Sequence, residues 1–325
     1  MKTVLGRGAT ALAAIGALAL VGCGSTAVSM DRPAGTILQA ANTQALNSSF
    51  QIAFTGQLQV NLSGVSASAG LTSTELALIQ DEINTAQLTG VAQIQSSKAM
   101  EFSFTLSPLL TQTWHELYLN GSEYISENGT QWYSETAAGS SAAQKSAAGA
   151  ASNGLGNLKT AIKSLGQQLN SSATVTKLGT TTIGGNQVEH LETTISGPNL
   201  NHALASMLGD VTADLGTEGA ALNSELPAIE GLLQFTQVKT DSYVLTSTGQ
   251  LARTDETVAV NLNLSELATL VPGQTGLPTG TVPMTLSLSG NFSDYGKDFG
   301  LQKPSHIVAG PVPTPSGLAG VLGQT

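Results

Sequence analysis

The chain has 325 residues, 12 Lys and Arg against 22 Asp and Glu, a net charge of −10 and one cysteine. That acidic balance argues against a nucleic-acid or anionic-membrane surface as partner, since both reward basic patches. A lone cysteine forms no internal disulfide, so stability must come from a packed core.

Residues 1–22 carry Lys2 and Arg7 and then an apolar run from Ala9 to Val21. A short basic start, an apolar run and small residues at its end are the marks of an export signal, and the run is too short to span a bilayer stably. Leu20-Val21-Gly22-Cys23 resembles the lipobox of bacterial lipoproteins. The resemblance implies that the Cys23 thiol is diacylated and becomes the mature N-terminus, with each buried CH₂ contributing about 0.8 kcal/mol to membrane anchorage. Cleavage there would remove Lys2 and Arg7 but no acid, taking the net charge from −10 to −12. Residues 23–34 are small and polar and read as a flexible tether, leaving 35–307 as a single folded domain.

Ile37, Leu38, Ala41 and Ala45 predict a short helix to about Leu46, with Thr36 as its cap. Then the period changes to two. Phe50, Ile52, Phe54, Leu58, Val60 and Leu62 share even positions and hence one face of a strand, with Gly56 marking a bulge or bend. Thr72 to Thr85 predicts a helix with a capping box from Thr72 or Ser73 and Glu75. Even-numbered stripes resume at Leu88, Ala92 and Ile94, and at Met100, Phe102, Phe104 and Leu106. Asn120-Gly121 and Asn128-Gly129, each between strand formers, predict a three-strand meander with type I′ turns.

Residues 137–153 are almost wholly Ala, Ser and Gly, which reads as a loop or weak helix. Leu155, Leu158, Ile162, Leu165 and Leu169 predict a helix. Val175 to Leu178 and Val188 to Ile195 flank a Gly184-Gly185-Asn186 turn. Pro198 opens a second helical stripe through Leu200, Leu204, Met207, Leu208, Val211 and Leu215, and Glu225 to Leu233 reads as a third short helix. Val238 to Thr246 and Leu251 to Leu264 form a predicted hairpin turning at Gly249. Val258, Val260 and Leu262, then Val282, Met284, Leu286, Leu288 and Phe292, are again even. Residues 308–325 are rich in Pro and Gly and read as a disordered tail.

No catalytic motif and no cofactor fingerprint stands out. His115, His190, His202 and His306 are scattered, none with a second ligand at metal spacing. Asp241, Asp255, Asp294 and Asp298 are the acids that might pair, although spacing alone does not place them opposite one another. The dominant feature is one-sided apolar strand surface, which must be buried against helices, another sheet or a ligand. On the residues alone a filled core and a ligand cavity both remain open.

Three stretches resemble the LppX/LprG-type, LolA-like bacterial lipoproteins: Ala40-Ala41-Asn42-Thr43 through Phe50 to Gly56; Leu117-Tyr118-Leu119-Asn120-Gly121 through Tyr124 and Gly129 to Trp132; and Asn291-Phe292-Ser293-Asp294-Tyr295-Gly296 leading to Lys303-Pro304. The resemblance implies an α+β fold in which a strongly curved antiparallel sheet, an incomplete β-barrel, is covered on its open side by helices around an apolar hollow. It further implies a non-enzymatic, membrane-anchored envelope protein that binds a lipid or lipoglycan and carries or presents it. From the period, the candidate lining is Phe50, Ile52, Phe54, Leu58, Val60, Ile94, Phe102, Phe104, Val258, Val260, Leu262, Met284, Leu286 and Leu288. The alternative is a structural lipoprotein with a filled core that docks an envelope protein partner.

Overall fold

A computed structural model describes residues 29–66, 72–96, 98–108, 112–120, 122–134, 173–201, 231–266 and 279–308. Cys23, the stripe from Leu155 to Leu169, the stripe from Leu204 to Leu215, His202 and the 309–325 tail lie outside them.

Among the described residues, the helices α1 (Ala34–Leu46) and α2 (Ser73–Thr85), helical residues at 197–201 and 231–232 and a 3-10 turn at Leu264–Glu266 accompany one twelve-stranded sheet. Its strands are β1 (Phe50–Val60), β2 (Gln87–Ser96), β3 (Ala99–Ser107), β4 (Trp114–Leu119), β5 (Ser122–Ser126), β6 (Trp132–Tyr133), β7 (Thr174–Ile183), β8 (Asn186–Ser196), β9 (Leu233–Leu245), β10 (Leu251–Asn263), β11 (Thr281–Ser293) and β12 (Ile307–Val308). The spatial order is β12-β6-β5-β4-β3-β2-β1-β11-β10-β9-β8-β7. Every pairing is antiparallel except β12 on β6, where Ile307 and Val308 lie beside Trp132 and Tyr133. Val308, read from sequence as the start of the tail, is therefore part of the sheet.

Directly paired residues share a face, so the register converts the even-numbered stripes into rows across the sheet. Ile52 pairs with Ala92 and Phe292, Leu58 with Leu286, and Val60 with Met284. Leu286 in turn faces Val258, and Met284 faces Val260. On the other side Ala92 faces Phe102 and Ile94 faces Met100. Gly56 makes no bulge: the register runs through it unbroken on both sides. Instead a Cβ there would lie 2.7 Å from Leu288 Cδ2, so the leucine fills the space that the glycine leaves. Gly90 similarly makes room for the Phe54 ring, whose Cζ would lie 2.5 Å from an added Cβ.

α1 packs on this apolar face, with Ile37, Leu38 and Ala41 buried among Phe50, Ile52, Ala92, Leu191, Val244 and Leu251. Its entry departs from the sequence reading. Pro33 occupies the N-cap and no side chain caps the helix, while Thr36 lies inside the first turn. The cluster around α1 reaches from Phe102 on β3 to Val175 on β7. A flat sheet would set those strands roughly 34 Å apart at about 4.8 Å per step, whereas a thirteen-residue helix is roughly 20 Å long. The sheet therefore curves around the helix, and its described ends, β12 and β7, do not pair.

α2 carries the capping box read from the sequence: Thr72 Oγ1 accepts from Glu75 N at 3.2 Å, and Thr72 N donates to Glu75 Oε2 at 2.7 Å. The helix buries no residue. It holds the end of β1 through polar side chains, with Val60 N donating to Asn84 Oδ1 at 2.6 Å and Asn84 Nδ2 to Val60 O at 3.1 Å.

The turns divide. Gly184 and Gly185, at φ 56° and 81°, join β7 to β8 in the two-residue geometry that positive φ permits. Asn120 also has positive φ, 50°, but at Asn128-Gly129 only the glycine does. There the chain takes a wider connection. Ser126 Oγ accepts from Gly129 N at 2.9 Å, and Asn128 Oδ1 accepts from Thr130 N at 2.9 Å. Leu233 opens β9 rather than ending a helix, because it pairs with Leu262 of β10. At the sheet's β7 end, unpaired on its outer side among the described residues, the register shifts between Lys177 and Gly179, and Leu178 is 51% exposed.

Candidate ligand-binding face

The fourteen residues read from the sequence all lie on the face that α1 touches, but not in one environment. Phe50 and Ile52 are buried in the α1 cluster, which Phe54, Ile94 and Phe102 flank. Val60 and Val260 are buried farther along the strands. Phe104, Val258, Leu262, Met284, Leu286 and Leu288 are half-buried, and Leu58 is 37% exposed. Beyond α1 the face is therefore apolar and open to contact. A second cluster, Ile195 and Leu200 with Ala173, Phe235 and Val238, sits toward its β8–β9 side.

Between the α1 cluster and this open end runs a polar row that the period did not single out. Thr193 of β8 pairs with Thr240 of β9, and Thr240 pairs with Glu256 of β10, which faces Leu288 of β11. All three polar residues are buried, as is Ser242 one step nearer α1. Thr193 Oγ1 and Ser242 Oγ have no hydrogen-bond partner among the described residues. Burial alone pushes the Glu256 carboxyl up to about 7. The sequence signal was available, because Glu256 sits at an even position in the stripe that continues through Val258 and Val260.

The opposite face is polar. A hollow of about 410 Å³ around Gly56 is lined from both faces, by Thr55, Gln57, Gln87, Thr89, Asp255, Thr257, Ser287 and Ser289 and also by Leu88, Glu256 and Leu288. Asp241 and Asp255 are cross-strand partners, each already matched to cations. His190 Nε2 lies 2.8 Å from Asp241 Oδ1, and Lys239 Nζ lies 3.4 Å from Asp241 Oδ2. Arg253 Nε donates to both Asp255 oxygens at 2.9 Å. Neither acid is a free carboxylate poised for general acid–base work. Asp294 sits in a turn beside Lys297, and Asp298 Oδ1 accepts from Gly300 N.

Ser103, His115 and Glu101 come together on β3 and β4, a grouping that scattered sequence positions conceal. Ser103 Oγ lies 2.9 Å from His115 Nδ1, and Glu101 Oε1 lies 3.9 Å from the same nitrogen. A nucleophile triad needs serine and acid on opposite ring nitrogens, so this arrangement does not activate the hydroxyl. Burial raises the Glu101 carboxyl above its ordinary range, and His115 opposes that shift. Among the described residues no group of three or more His, Cys, Asp or Glu side chains is placed to hold a metal ion. His306 contributes its backbone carbonyl, which accepts from Trp132 N at 3.1 Å. No helix among the described residues is long and apolar enough to cross a membrane.

No family model and no curated protein matches the chain. Among solved structures it is similar to the lipoprotein LppX of Mycobacterium tuberculosis, at 11% identity and a TM-score of 0.35, over 82% of this chain and 97% of that one. It is also similar to LprF of Mycobacterium bovis, at 12% identity and a TM-score of 0.34, over 86% of this chain and 99% of that one. A LolA superfamily protein of Nitrosomonas europaea matches at 9% identity and a TM-score of 0.24, over 84% of this chain and 98% of that one. These superpositions span most of both chains but are loose, and the open, mostly antiparallel sheet is defined by its own strand order and register.

Proposed function

We propose that the chain is an exported lipoprotein, anchored through Cys23 outside the cell membrane, that takes the acyl chains of a lipid or lipoglycan on its apolar sheet face. It carries or presents that ligand in the cell envelope and catalyses nothing. One observation carries the reading: past α1 the face continues through Phe104, Val258, Leu286 and Leu288 half-buried, with Leu58 at 37% exposure. Apolar surface of that extent on a curved sheet gains by covering it, at about 25 cal/mol per Å² removed from water. Acyl chains match it because the open rows are aliphatic and aromatic.

The test is organic extraction and mass spectrometry of the Cys23→Ala protein, whose own anchor cannot contribute acyl chains. Recovery of stoichiometric lipid supports the carrier. An empty extract favours the second reading, a structural lipoprotein with a filled core that docks an envelope protein. The buried packing of Phe50, Ile52, Val60 and Val260 supports that second reading.

A further inference from the structure

The geometry points to a hydrogen-bonding subsite on the apolar face, formed by Thr193, Thr240, Glu256 and Ser242, that takes a neutral hydroxyl group of a lipid whose chain lies over Val258, Leu286 and Leu58. The inference rests on the lipid-binding reading above and gives that ligand a chemical class.

The row is continuous, because Thr193, Thr240 and Glu256 are successive register partners on three neighbouring strands. Directly opposite residues stand about 4.5–5.5 Å apart at Cβ, within reach of a single small polar group. Thr193, Thr240, Ser242 and Glu256 are each more than nine-tenths buried. An unmatched buried polar group costs about 1–3 kcal/mol, and such groups recur where a ligand supplies the partner. Here two hydroxyls lack one among the described residues.

Charge selects the partner's chemistry. α1, β1, β2 and β11, which cover or flank this part of the face, contain no titratable side chain at all. On β9 and β10, Lys239, Asp241, Tyr243, Arg253 and Asp255 alternate to the opposite face. Glu189 of β8 shares the inner face, but it is already paired with Lys177 at 3.5 Å. Lys177 of β7 is on this face too, opposite Leu191, but it is held by Glu189 and by the Met30 carbonyl, so among the described residues no unpaired cation faces the row to take an anionic head group. Glu256 is half protonated near neutrality, which weakens its hold on a permanent cation. A hydroxyl satisfies both sides of the row, since it donates to Glu256 and accepts from Thr240 opposite that residue or from Ser242, its diagonal neighbour at about 7–8 Å. The next row down, Val238, Val258, Leu286 and Leu58, is wholly apolar and fits the chain attached to that hydroxyl.

The experiment titrates the full chain carrying Cys23→Ala with oleyl alcohol, oleyl methyl ether and oleylamine, and counts bound ligand by native mass spectrometry. Oleyl alcohol should bind roughly tenfold more tightly than the ether, the scale of one or two net hydrogen bonds. Glu256→Leu, and separately Glu256→Met, remove the acceptor that only the alcohol's O–H can use, so each should cut that preference to within about twofold by weakening the alcohol more than the ether. A general structural role would instead lower the melting temperature and both affinities together. Equal binding of alcohol and ether to the wild type overturns the subsite, and that comparison decides the matter even if the variants do not fold. Tighter binding of the amine than of the alcohol overturns the choice of a neutral group. If the wild type binds none of the three, the lipid-binding reading itself fails.

Discussion

Replacing Glu256 by Gln should make the protein more stable at pH 8 and leave it nearly unchanged at pH 4. The carboxyl is 7% exposed, on an apolar face, and burial lifts it from an ordinary 4.5 to about 7. A raised carboxyl means that the folded state binds the proton more tightly than the unfolded chain does. Stability therefore falls as pH rises from about 4.5 to about 7, and stays level above that window. Each tenfold gain in proton affinity on folding is worth about 1.4 kcal/mol, so the charged carboxylate costs about 3 kcal/mol at pH 8. Gln fills the same volume without titrating. Its amide still needs partners, so the gain is at most that figure and corresponds to about 6–12 °C in melting temperature for a domain of this size. Urea or thermal unfolding of both proteins from pH 4 to pH 8 measures the difference. Parallel stability profiles across the window would refute the reasoning, because they would mean that Glu256 is solvated or paired in the folded state.

Ile37→Ala removes a fully buried side chain from the α1 cluster and should cost about 2–5 kcal/mol, read from the denaturant midpoint. Gly90→Ala places a Cβ against the Ser103 backbone carbonyl, 2.5 Å from Phe54 Cζ and 2.9 Å from Phe104 Cβ, so it should cost about 1–3 kcal/mol; Phe54→Leu relieves the ring contact alone and should recover only a part of that loss in the double mutant. Cys23→Ala should leave the protein uncleaved or soluble, whereas the wild type partitions into detergent with membranes; equal partitioning would refute acylation at that residue. Leu286→Trp should lower lipid recovery with little thermal cost if its neighbourhood is ligand space, and should lower the melting temperature if it is packed core.

The alternation of apolar residues carried most of the sheet, because a strand with one buried face writes its period directly into the sequence. All the even stripes, from Phe50 to Val60 and from Val282 to Phe292, fall on one face as read. The capping box at Thr72 and Glu75 was equally legible, since it depends on contacts three residues apart. What escaped depends on residues far apart in the chain. β12 is two residues long and parallel to β6, too short to show a period and defined only by its distant partner. Gly56 looked like a break in the stripe, yet Leu288 from another strand fills its place. The polar row is intermediate. Glu256 in phase with Val258 and Val260 was visible, but only the register reveals that Thr240 and Thr193 continue it.

The register shift at Lys177 and Gly179 bears on how copies of this protein coexist. β7 is paired on one side only among the described residues, so its outer backbone offers hydrogen bonds to any strand that approaches. Gly179 at φ 110° breaks the regular spacing of those donors and acceptors midway along the strand. An incoming chain can match a few residues and then loses step. If lipid anchors confine many copies to a plane, every β7 meets its neighbours at high local concentration. A continuous ten-residue edge would there be a template for strand-to-strand pairing between copies, and the interrupted one is a poorer template.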